Sequence, residues 1–265
     1  MSGRRRAAVD ALYIDTNGPI NAEVVLKVAS YNIHKCRGPD GFSRPHRILE
    51  VLNEIDADVV ALQEVDRRFG ARTGLLDPAV IESETGLSLL GQSDIPDGHG
   101  WHGNALLVRG RPLHYRRTRV KLPGLEPRGA VIAEIDLGKG AFSVMATHFG
   151  LLRRSRMDQA QTILDAFHEL KPMPTILLGD FNEWRRRRRS ALEILEPVFG
   201  VAPVLCSFPA PLPLFPMDRI LGWPAGSVTR SAVHDTPLAR TASDHLPLVA
   251  EVNLNVELPA KRMAA

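Results

Sequence analysis

Short apolar segments of strand length recur along the chain from Val25 to Leu254, and they constrain its fold more than any other feature. Helical patterns lie between some of them, at residues 46–55, 154–170 and 190–195. Two segments, VVALQ and TILLG, are almost continuously apolar, which is typical of central strands buried on both faces. We therefore expect one α/β unit with layers on both sides of a sheet. The predicted strands are VVLKVASYNI, ADVVALQEV, GNALLVR, AVIAEIDL, FSVMATHF, TILLGDF, MDRILGW and LPLVAEVNL.

The composition supports a large folded unit but does not identify its partner. Apolar residues make up 44% of the 265 residues, which is enough for a substantial core and excludes wholesale disorder. The formal net charge is only +3, so the chain shows no strong sign of being a nucleic-acid coat protein. Its 27 arginines against 6 lysines favour bidentate phosphate binding or simply reflect a GC-rich coding sequence. The five arginines at 185–189 are equally compatible with a solvated loop and with a phosphate-facing one.

The cysteines and the termini predict a soluble cytoplasmic protein. Cys36 and Cys206 are too few for a disulfide framework or a cysteine-based zinc site, and they suit a reducing compartment. Residues 1–24 lack sustained periodicity, which predicts a tail and not a signal peptide. No segment approaches the ~20 apolar residues that would cross a bilayer. We expect one folded domain at residues 25–254, followed by a short tail at 255–265.

Polar residues stand where the apolar strands end or begin. These residues are Asn32, Glu64, His148, Asp180, Asn182, Asp244 and His245. A carboxylate at such a position costs burial energy unless a metal or a partner offsets it. A set of polar residues placed in this way is hard to explain as turns and caps alone, and it predicts a functional site.

Three of these residues have a clear chemical interpretation beside a purely structural one. Asp180 and Asn182 lie two residues apart, so on an extended backbone both face the same ligand, although Asp-x-Asn is also a common turn. Glu64 is a hard oxygen donor that suits Mg²⁺ or Mn²⁺, or alternatively an anion at the start of a helix. For these residues the functional and structural interpretations both remain open.

The histidines need a carboxylate partner to act as acid or base. His245 adjoins Asp244 in sequence, but neighbours on a strand point to opposite sides, so Asp218 is the better candidate partner. A carboxylate would hold the tautomer of His245 and let it accept or stabilise a proton. A hydrogen-bonded structural histidine is the alternative for His245 and for His148.

Taken together, the motifs resemble a known family. The segments SYNIHK, ALQEVD, HGNALLVR, EPRGAVIAEI, ATHFGL, LLGDFNEW, MDRIL and SDHLPL occur in this order. The chain resembles the endonuclease/exonuclease/phosphatase superfamily of Mg²⁺-dependent phosphoesterases over residues 25–252, and its length is similar to that of the compact bacterial members. GDFN and SDH are the most specific segments. The resemblance implies a DNase I-like fold, an α/β sandwich of four layers in which two packed mixed β-sheets are flanked by helices, with one active site at the top of the sheets.

The resemblance implies catalytic roles for five residues. Asp180 matches the aspartate that orients or deprotonates the attacking water, and Asn182 the amide that supports the phosphate oxyanion. His245 matches the essential histidine, and Asp218 matches its carboxylate partner. His148 falls where many members contact the phosphate and assist the leaving group.

The resemblance also implies a metal site and a phosphate site. Asn32, Glu64 and Asp244 match the metal side, with Glu64 as the principal ligand of Mg²⁺, for which Mn²⁺ is an alternative. Arg128 matches a phosphate-facing arginine, since a guanidinium binds two phosphate oxygens. Asn104 aligns with a residue at the edge of the site.

Three hypotheses follow for the function. The first is a metal-dependent phosphodiesterase or nuclease, in which Arg153, Arg154 and Arg156 contact a nucleic acid. The second is a phosphatase or phosphodiesterase for a small-molecule or lipid headgroup phosphate, in which the apolar loop Phe208–Phe215 touches a membrane. The third is a binding module without activity, which predicts the loss of catalytic residues that this chain retains. None of the three calls for an obligate protein partner.

Overall fold

The computed structural model describes residues 25–67, 73–91, 101–185 and 190–259. The tail predicted at 1–24, four of the five consecutive arginines and the last residues of the predicted C-terminal tail lie outside the described residues. The strands are β1 (Val25–Asn32), β2 (Val59–Gln63), β3 (Leu87–Leu89), β4 (Ala105–Arg109), β5 (His114–Leu122), β6 (Arg128–Asp136), β7 (Ala141–His148), β8 (Thr175–Asp180), β9 (Asp218–Trp223), β10 (Val228–Val233) and β11 (Leu248–Asn253). The helices are α1 (Pro45–Ile55), α2 (Pro78–Thr85), α3 (Arg153–Glu169), α4 (Leu192–Phe199) and α5 (Ala239–Ala242).

The described strands form two mixed sheets that pack face to face. One sheet has the order β10-β11-β1-β2-β4-β3 and the other β5-β6-β7-β8-β9. Each sheet contains one parallel pair, β1 with β2 and β7 with β8, and its other pairs are antiparallel. An apolar cluster from the inner faces of both sheets, including Val28, Ala61, Val144 and Ile176, fills the space between them. This confirms the two packed mixed sheets that the family resemblance implied.

Helices cover the outer faces and complete the four layers. Ile48 and Leu52 of α1 pack with Tyr31 and Leu62 against the outside of the first sheet. The apolar faces of α3 and α4 pack in the same way against the second sheet, where Phe167 also contacts the ring of Trp223. Strands β2 and β8 are buried along their whole length, as expected for strands covered on both sides.

The two parallel pairs explain why distant polar residues meet. In β1 and β2 the register aligns Asn32 with Gln63, so Asn32 and Glu64 lie at the same edge of the first sheet. In β7 and β8 it aligns His148 with Asp180 at the corresponding edge of the second sheet. We call this edge, where β1, β2, β7 and β8 all end, the site end of the sandwich.

The helix boundaries largely match the sequence patterns, and the strands that the sequence analysis missed lie at sheet edges. The predicted helices at 46–55 and 154–170 correspond to α1 and α3 within one residue. The third begins at Leu192 and continues to Phe199, past Pro197, whereas 190–195 was predicted. Strands β5 and β10 lacked an apolar run because edge strands expose much of their surface, and β3 is only three residues long.

The proline-rich segment Ser207–Pro216, which precedes β9, contains no helix and folds back on itself. Phe208 and Phe215 exchange backbone hydrogen bonds of 2.8 and 3.1 Å, which close a turn at the site end. Among the described residues, no helix combines the length and the apolar character that spanning a membrane would require.

Candidate active site

The carboxylate of Asp180 is the centre of a buried polar cluster. Its Oδ2 atom accepts a hydrogen bond of 3.0 Å from the side-chain amide of Asn32. The same oxygen lies 3.4 Å from Nε2 of His148 and 3.8 Å from Nε2 of His245. All four side chains are almost completely buried. Three residues from three separate chain segments therefore converge on one carboxylate oxygen of a fourth segment.

Asp180 reaches this position because Gly179 precedes it. Gly179 has a φ of +153°, and a Cβ atom there would lie 1.9 Å from the carbonyl oxygen of Thr147. Only glycine lets β8 approach β7 so closely at the point where the strands end. The position of Asp180 therefore depends on the glycine that precedes it in the backbone.

His245 is held by a second buried carboxylate. Its Nδ1 lies 2.9 Å from Oδ2 of Asp218, which also accepts a 2.5 Å hydrogen bond from Ser207. The ring of Phe208 packs 4.9 Å from the imidazole. With Nδ1 directed to Asp218, Nε2 faces Asp180, which is the arrangement that the sequence analysis expected of a carboxylate-oriented histidine.

The environment shifts both titrating groups strongly. Burial raises the pKa of Asp180 to about 6, and the negative charge of Asp218 adds to this effect while the charge on His245 opposes it. Burial alone would lower the pKa of His245, but the charges of Asp218 and Asp180 outweigh it and raise the pKa to about 10. His245 is thus a cation at neutral pH beside a carboxylate that accepts protons near neutrality.

Asn182 is fixed by the turn that follows β8. Its backbone N–H donates to Oδ1 of Asp180 at 2.8 Å, and its side-chain amide donates to the carbonyl of Phe149 at 2.9 Å. It has a φ of +50°, in the left-handed region that Asn tolerates better than most residues. Asp-x-Asn therefore forms a turn, and the functional interpretation of Asn182, which the turn does not exclude, stays a prediction.

Glu64 and Arg128 face each other across the cleft of the site. Lys35, Glu64, His102, Arg128 and His148 are among the residues that line it. Nη1 of Arg128 lies 2.9 and 3.0 Å from the two ring nitrogens of His148, and its Nη2 donates to Glu126 at 2.8 Å. The cleft thus joins the Asp180 cluster to a guanidinium and a further carboxylate.

Lys35 is a site residue that the sequence analysis missed. Its Nζ forms an ion pair with Oε2 of Glu64. Burial would raise the pKa of Glu64, but the hydrogen bond and charge of Lys35 hold it below its ordinary value. The SYNIHK segment contains Lys35, but no apolar periodicity marks this position, because it belongs to an irregular turn.

Strained backbone concentrates at the same place. Among the described residues other than glycine, those with positive φ are His34, Lys35, Cys36, Asp56, Glu64, His102 and Asn182. Asp56 ends α1, whereas the others lie in the segments that build the site end. Conformations of this kind cost roughly 1–3 kcal/mol each and accumulate at functional sites.

Two predicted residues lie at the margin of the cluster. Asn104 is fully buried, and its amide donates to the carbonyl oxygens of Trp101 and Gly129, so it ties β4 to β6. The carboxylate of Asp244 lies 3.5 Å from Nδ1 of His34, and His34 in turn contacts Asn32. Their predicted contacts with phosphate and with metal stay predictions.

One predicted basic residue does not face solvent. Arg156 is 1% exposed, lies 3.4 Å from Glu183 and donates to the carbonyl of Leu151 at 2.5 Å. Arg219, also buried, donates to the carbonyl of Glu183 at 3.0 Å. The expectation that Arg156 contacts a nucleic acid is wrong, because its guanidinium instead fixes the turn after Asn182.

The donor set suits a hard divalent cation. Glu64 already binds a positive charge, the ammonium of Lys35, so a cation is accommodated beside its carboxylate. Its oxygens, together with the amide oxygen of Asn32 and the carboxylate of Asp244, are of the type that Mg²⁺ prefers. A second group, Asp180, Asp218 and His245, also brings potential ligand atoms together, but Asp218 and His245 already bond to each other.

Comparisons with known proteins agree with this geometry. The sequence matches the profile of the Endonuclease/Exonuclease/phosphatase family over residues 29–245. It is 32% identical over 257 residues to the uncharacterized protein YbhP of Escherichia coli K12, covering 86% of this chain and 96% of that protein.

Solved structures share the fold. An endonuclease/exonuclease/phosphatase family protein from Bacteroides thetaiotaomicron superimposes with a TM-score of 0.68 at 19% identity, over 88% of this chain and 98% of that one. The mannosyl-6-phosphatase Bt3783 of the same species gives a TM-score of 0.65 at 19% identity, over 85% and 98% of the two chains.

Proposed function

Because the chain belongs to the endonuclease/exonuclease/phosphatase family, a family of hydrolytic phosphoesterases, we propose that it hydrolyses phosphate esters with the help of a divalent cation, Mg²⁺ or alternatively Mn²⁺. The observation that carries this proposal is the convergence of Asn32, His148 and His245 on one oxygen of Asp180. A cleft lined by an arginine and a carboxylate adjoins this cluster.

The cluster supports activation of a water molecule. Asp180 has a pKa raised to about 6, so its carboxylate is a better proton acceptor than an ordinary aspartate. In this proposal it orients and deprotonates the attacking water. His245, held as a cation by Asp218, stabilises the charge that develops on the phosphoryl oxygens.

The other side chains position the phosphate and the cation. Arg128 and His148 offer donors from the cleft wall, and Asn182 supports a phosphoryl oxygen. Glu64, with Asn32 and Asp244, would hold the cation. When bound, the cation neutralises charge on the phosphoryl oxygens.

The surroundings of the cleft favour a phosphate on an amphiphilic molecule as the substrate. Large apolar side chains are exposed in the loops of the site end, among them Leu125 at 87% and Leu212 at 64%. Small polar phosphates do not need such surfaces, whereas a lipid headgroup phosphate lies beside acyl chains. We therefore place a lipid headgroup phosphate ahead of the nucleic acid that the sequence analysis ranked first.

One observation keeps the nuclease as a second candidate. Edge strand β5 carries Arg117, Arg119 and Lys121 on one face and ends beside the start of β6, where Arg128 faces the cleft. Such a basic strip could follow a phosphodiester backbone. Basic residues on an edge strand also serve to prevent strand pairing between molecules, which is the structural alternative.

The test compares substrates and cations. The protein is assayed on p-nitrophenyl phosphate, bis-p-nitrophenyl phosphate, a phosphatidylinositol phosphate, phosphatidic acid, plasmid DNA and RNA, with Mg²⁺, with Mn²⁺ and with EDTA. We expect cation-dependent hydrolysis of at least one lipid phosphate, with Asp180→Asn inactive in parallel. A folded protein that cleaves none of these substrates with either cation would overturn the proposal, and cleavage of only DNA or RNA would establish the second candidate.

A further inference from the structure

Exposed apolar side chains concentrate at the site end. Among the described residues, those in its loops are Phe42, Leu125, Leu151, Leu152, Trp184, Leu212, Leu214 and Phe215. Each is at least 41% exposed. Exposed apolar residues scattered singly need no explanation, but a group around one cleft marks an interaction site.

Four of these residues form one border of the cleft, which we call the leucine rim: Leu125, Leu151, Leu152 and Trp184. The backbone N–H of Leu151 donates to Glu126 at 3.1 Å, and Glu126 in turn binds Arg128. Buried Arg156 bonds to the carbonyl of Leu151 and lies 5.6 Å from the ring of Trp184. The rim is therefore held against the phosphate-facing arginine by a fixed network.

The proline-rich turn at 207–216 forms a second apolar border of the site end, beside His245. Phe208 packs against His245, and the backbone N–H of Ala210 donates to the backbone carbonyl of Asp244 at 2.7 Å. Beyond these anchors Leu212 and Leu214 are exposed at 64% and 58%. The site end thus carries two apolar borders, each fastened to a residue of the proposed machinery.

Charge around the borders is cationic. Arg44, Arg154 and Arg185 are exposed in the site-end segments. Several acidic groups of this end are already paired, Asp40 with Arg47 at 2.7 Å and Asp235 with Arg240 at 2.8 Å. None of these three arginines forms an ion pair with another described residue. A surface that presents leucines together with such arginines complements an anionic bilayer, where acyl chains lie below negative headgroups.

We propose that the leucine rim and the proline-rich turn dock the protein on an anionic lipid bilayer, so that the cleft opens toward phosphate esters in the headgroup layer. A nucleic acid fits these borders less well, because most of their exposed side chains are leucines, which offer no ring on which a base can stack. This inference rests on the proposed function for its substrate, but the docking itself requires no turnover.

Vesicle binding tests the docking separately from catalysis. The full chain is sedimented, with EDTA present, with vesicles of phosphatidylcholine alone and with vesicles that also contain phosphatidylglycerol. We expect binding only to the second, and a loss of roughly 10-fold or more in Leu151→Ser/Leu152→Ser and in Arg154→Glu/Arg185→Glu. Leu113→Ser is the matched control, because Leu113 is 76% exposed at the opposite end of the sandwich, beside the end of β6.

Three outcomes would overturn the docking proposal: no binding to anionic vesicles, equal losses in the rim variant and the control, or rim-dependent binding to a single-stranded oligonucleotide in place of vesicles. Hydrolysis of bis-p-nitrophenyl phosphate is measured on the same samples. Rim variants that lose vesicle binding and keep this soluble activity support docking, whereas vesicle binding without any hydrolysis would overturn the proposed function alone.

Discussion

Nδ1 of His245 lies 2.9 Å from Oδ2 of Asp218, and this pair sets which nitrogen of the imidazole faces Asp180. We expect Asp218→Asn to reduce kcat/KM roughly 10²–10⁴-fold, because the amide neither fixes the tautomer nor stabilises the imidazolium. Steady-state hydrolysis of bis-p-nitrophenyl phosphate measures the loss. His245→Ala should lose a similar factor, and the double variant little more. If the double variant lost the product of the two single losses in kcat/KM, Asp218 and His245 would act independently, and the prediction would be contradicted.

Asp180 is expected to destabilise the metal-free protein. Its pKa is raised from 3.8 to about 6, so the folded state binds the proton more tightly than the unfolded chain does. The free energy of unfolding should therefore fall as the pH rises through this interval. His245 does not alter the pH dependence between pH 3.8 and about 6, because its ordinary pKa of 6.5 and its folded pKa of about 10 both lie above this interval.

Asp180→Asn should remove this fall and inactivate the enzyme. We expect the variant to be about 1–3 kcal/mol more stable than the wild type at about pH 7 without metal, and to differ less at about pH 4. Urea denaturation in EDTA at both pH values gives the comparison. A variant that is less stable than the wild type at neutral pH would contradict this prediction, because it would show that the Asp180 carboxylate increases the free energy of unfolding.

Sequence reasoning located the polar residues of the site because sheet topology places them together. Asn32 and His148 each end a strand of a parallel pair, so a polar residue after an apolar run carried the signal. Lys35 had no such signal, since it lies in a left-handed turn outside any periodic pattern. Arg156 was misread because its charge suggests exposure, whereas a buried ion pair with Glu183 outweighs that preference here.

Lys35 is expected to compete with the cation for Glu64. Removing its charge in Lys35→Met should tighten Mn²⁺ binding by about 5-fold, because Glu64 loses its internal counter-ion. Electron paramagnetic resonance of free Mn²⁺ measures the affinity without turnover. Lys139→Met is the matched control, since Lys139 pairs with Asp58 at 3.2 Å away from the site. Unchanged or weaker Mn²⁺ binding in Lys35→Met would argue against competition for Glu64.

Gly179 links the stability of the second sheet to the position of Asp180. A methyl group at this residue would collide with the carbonyl oxygen of Thr147, so Gly179→Ala must separate β7 from β8. We expect a loss of roughly 3 kcal/mol or more in the free energy of unfolding, measured by urea denaturation. Gly140→Ala is the control, because Gly140 has a φ of +100° but open space around it, and it should cost only about 1–2 kcal/mol.

The activities of Gly179→Ala and Gly140→Ala show whether the close approach of β7 and β8 also positions Asp180. Because His148 and Asp180 are aligned across β7 and β8, a shift of either strand changes the 3.4 Å distance between them. Gly179→Ala should therefore lose at least 10²-fold in kcat/KM at a temperature where it remains folded. Gly140→Ala should retain nearly full activity. A folded Gly179→Ala variant with normal turnover would mean that the close approach of the two strands serves stability and does not position Asp180.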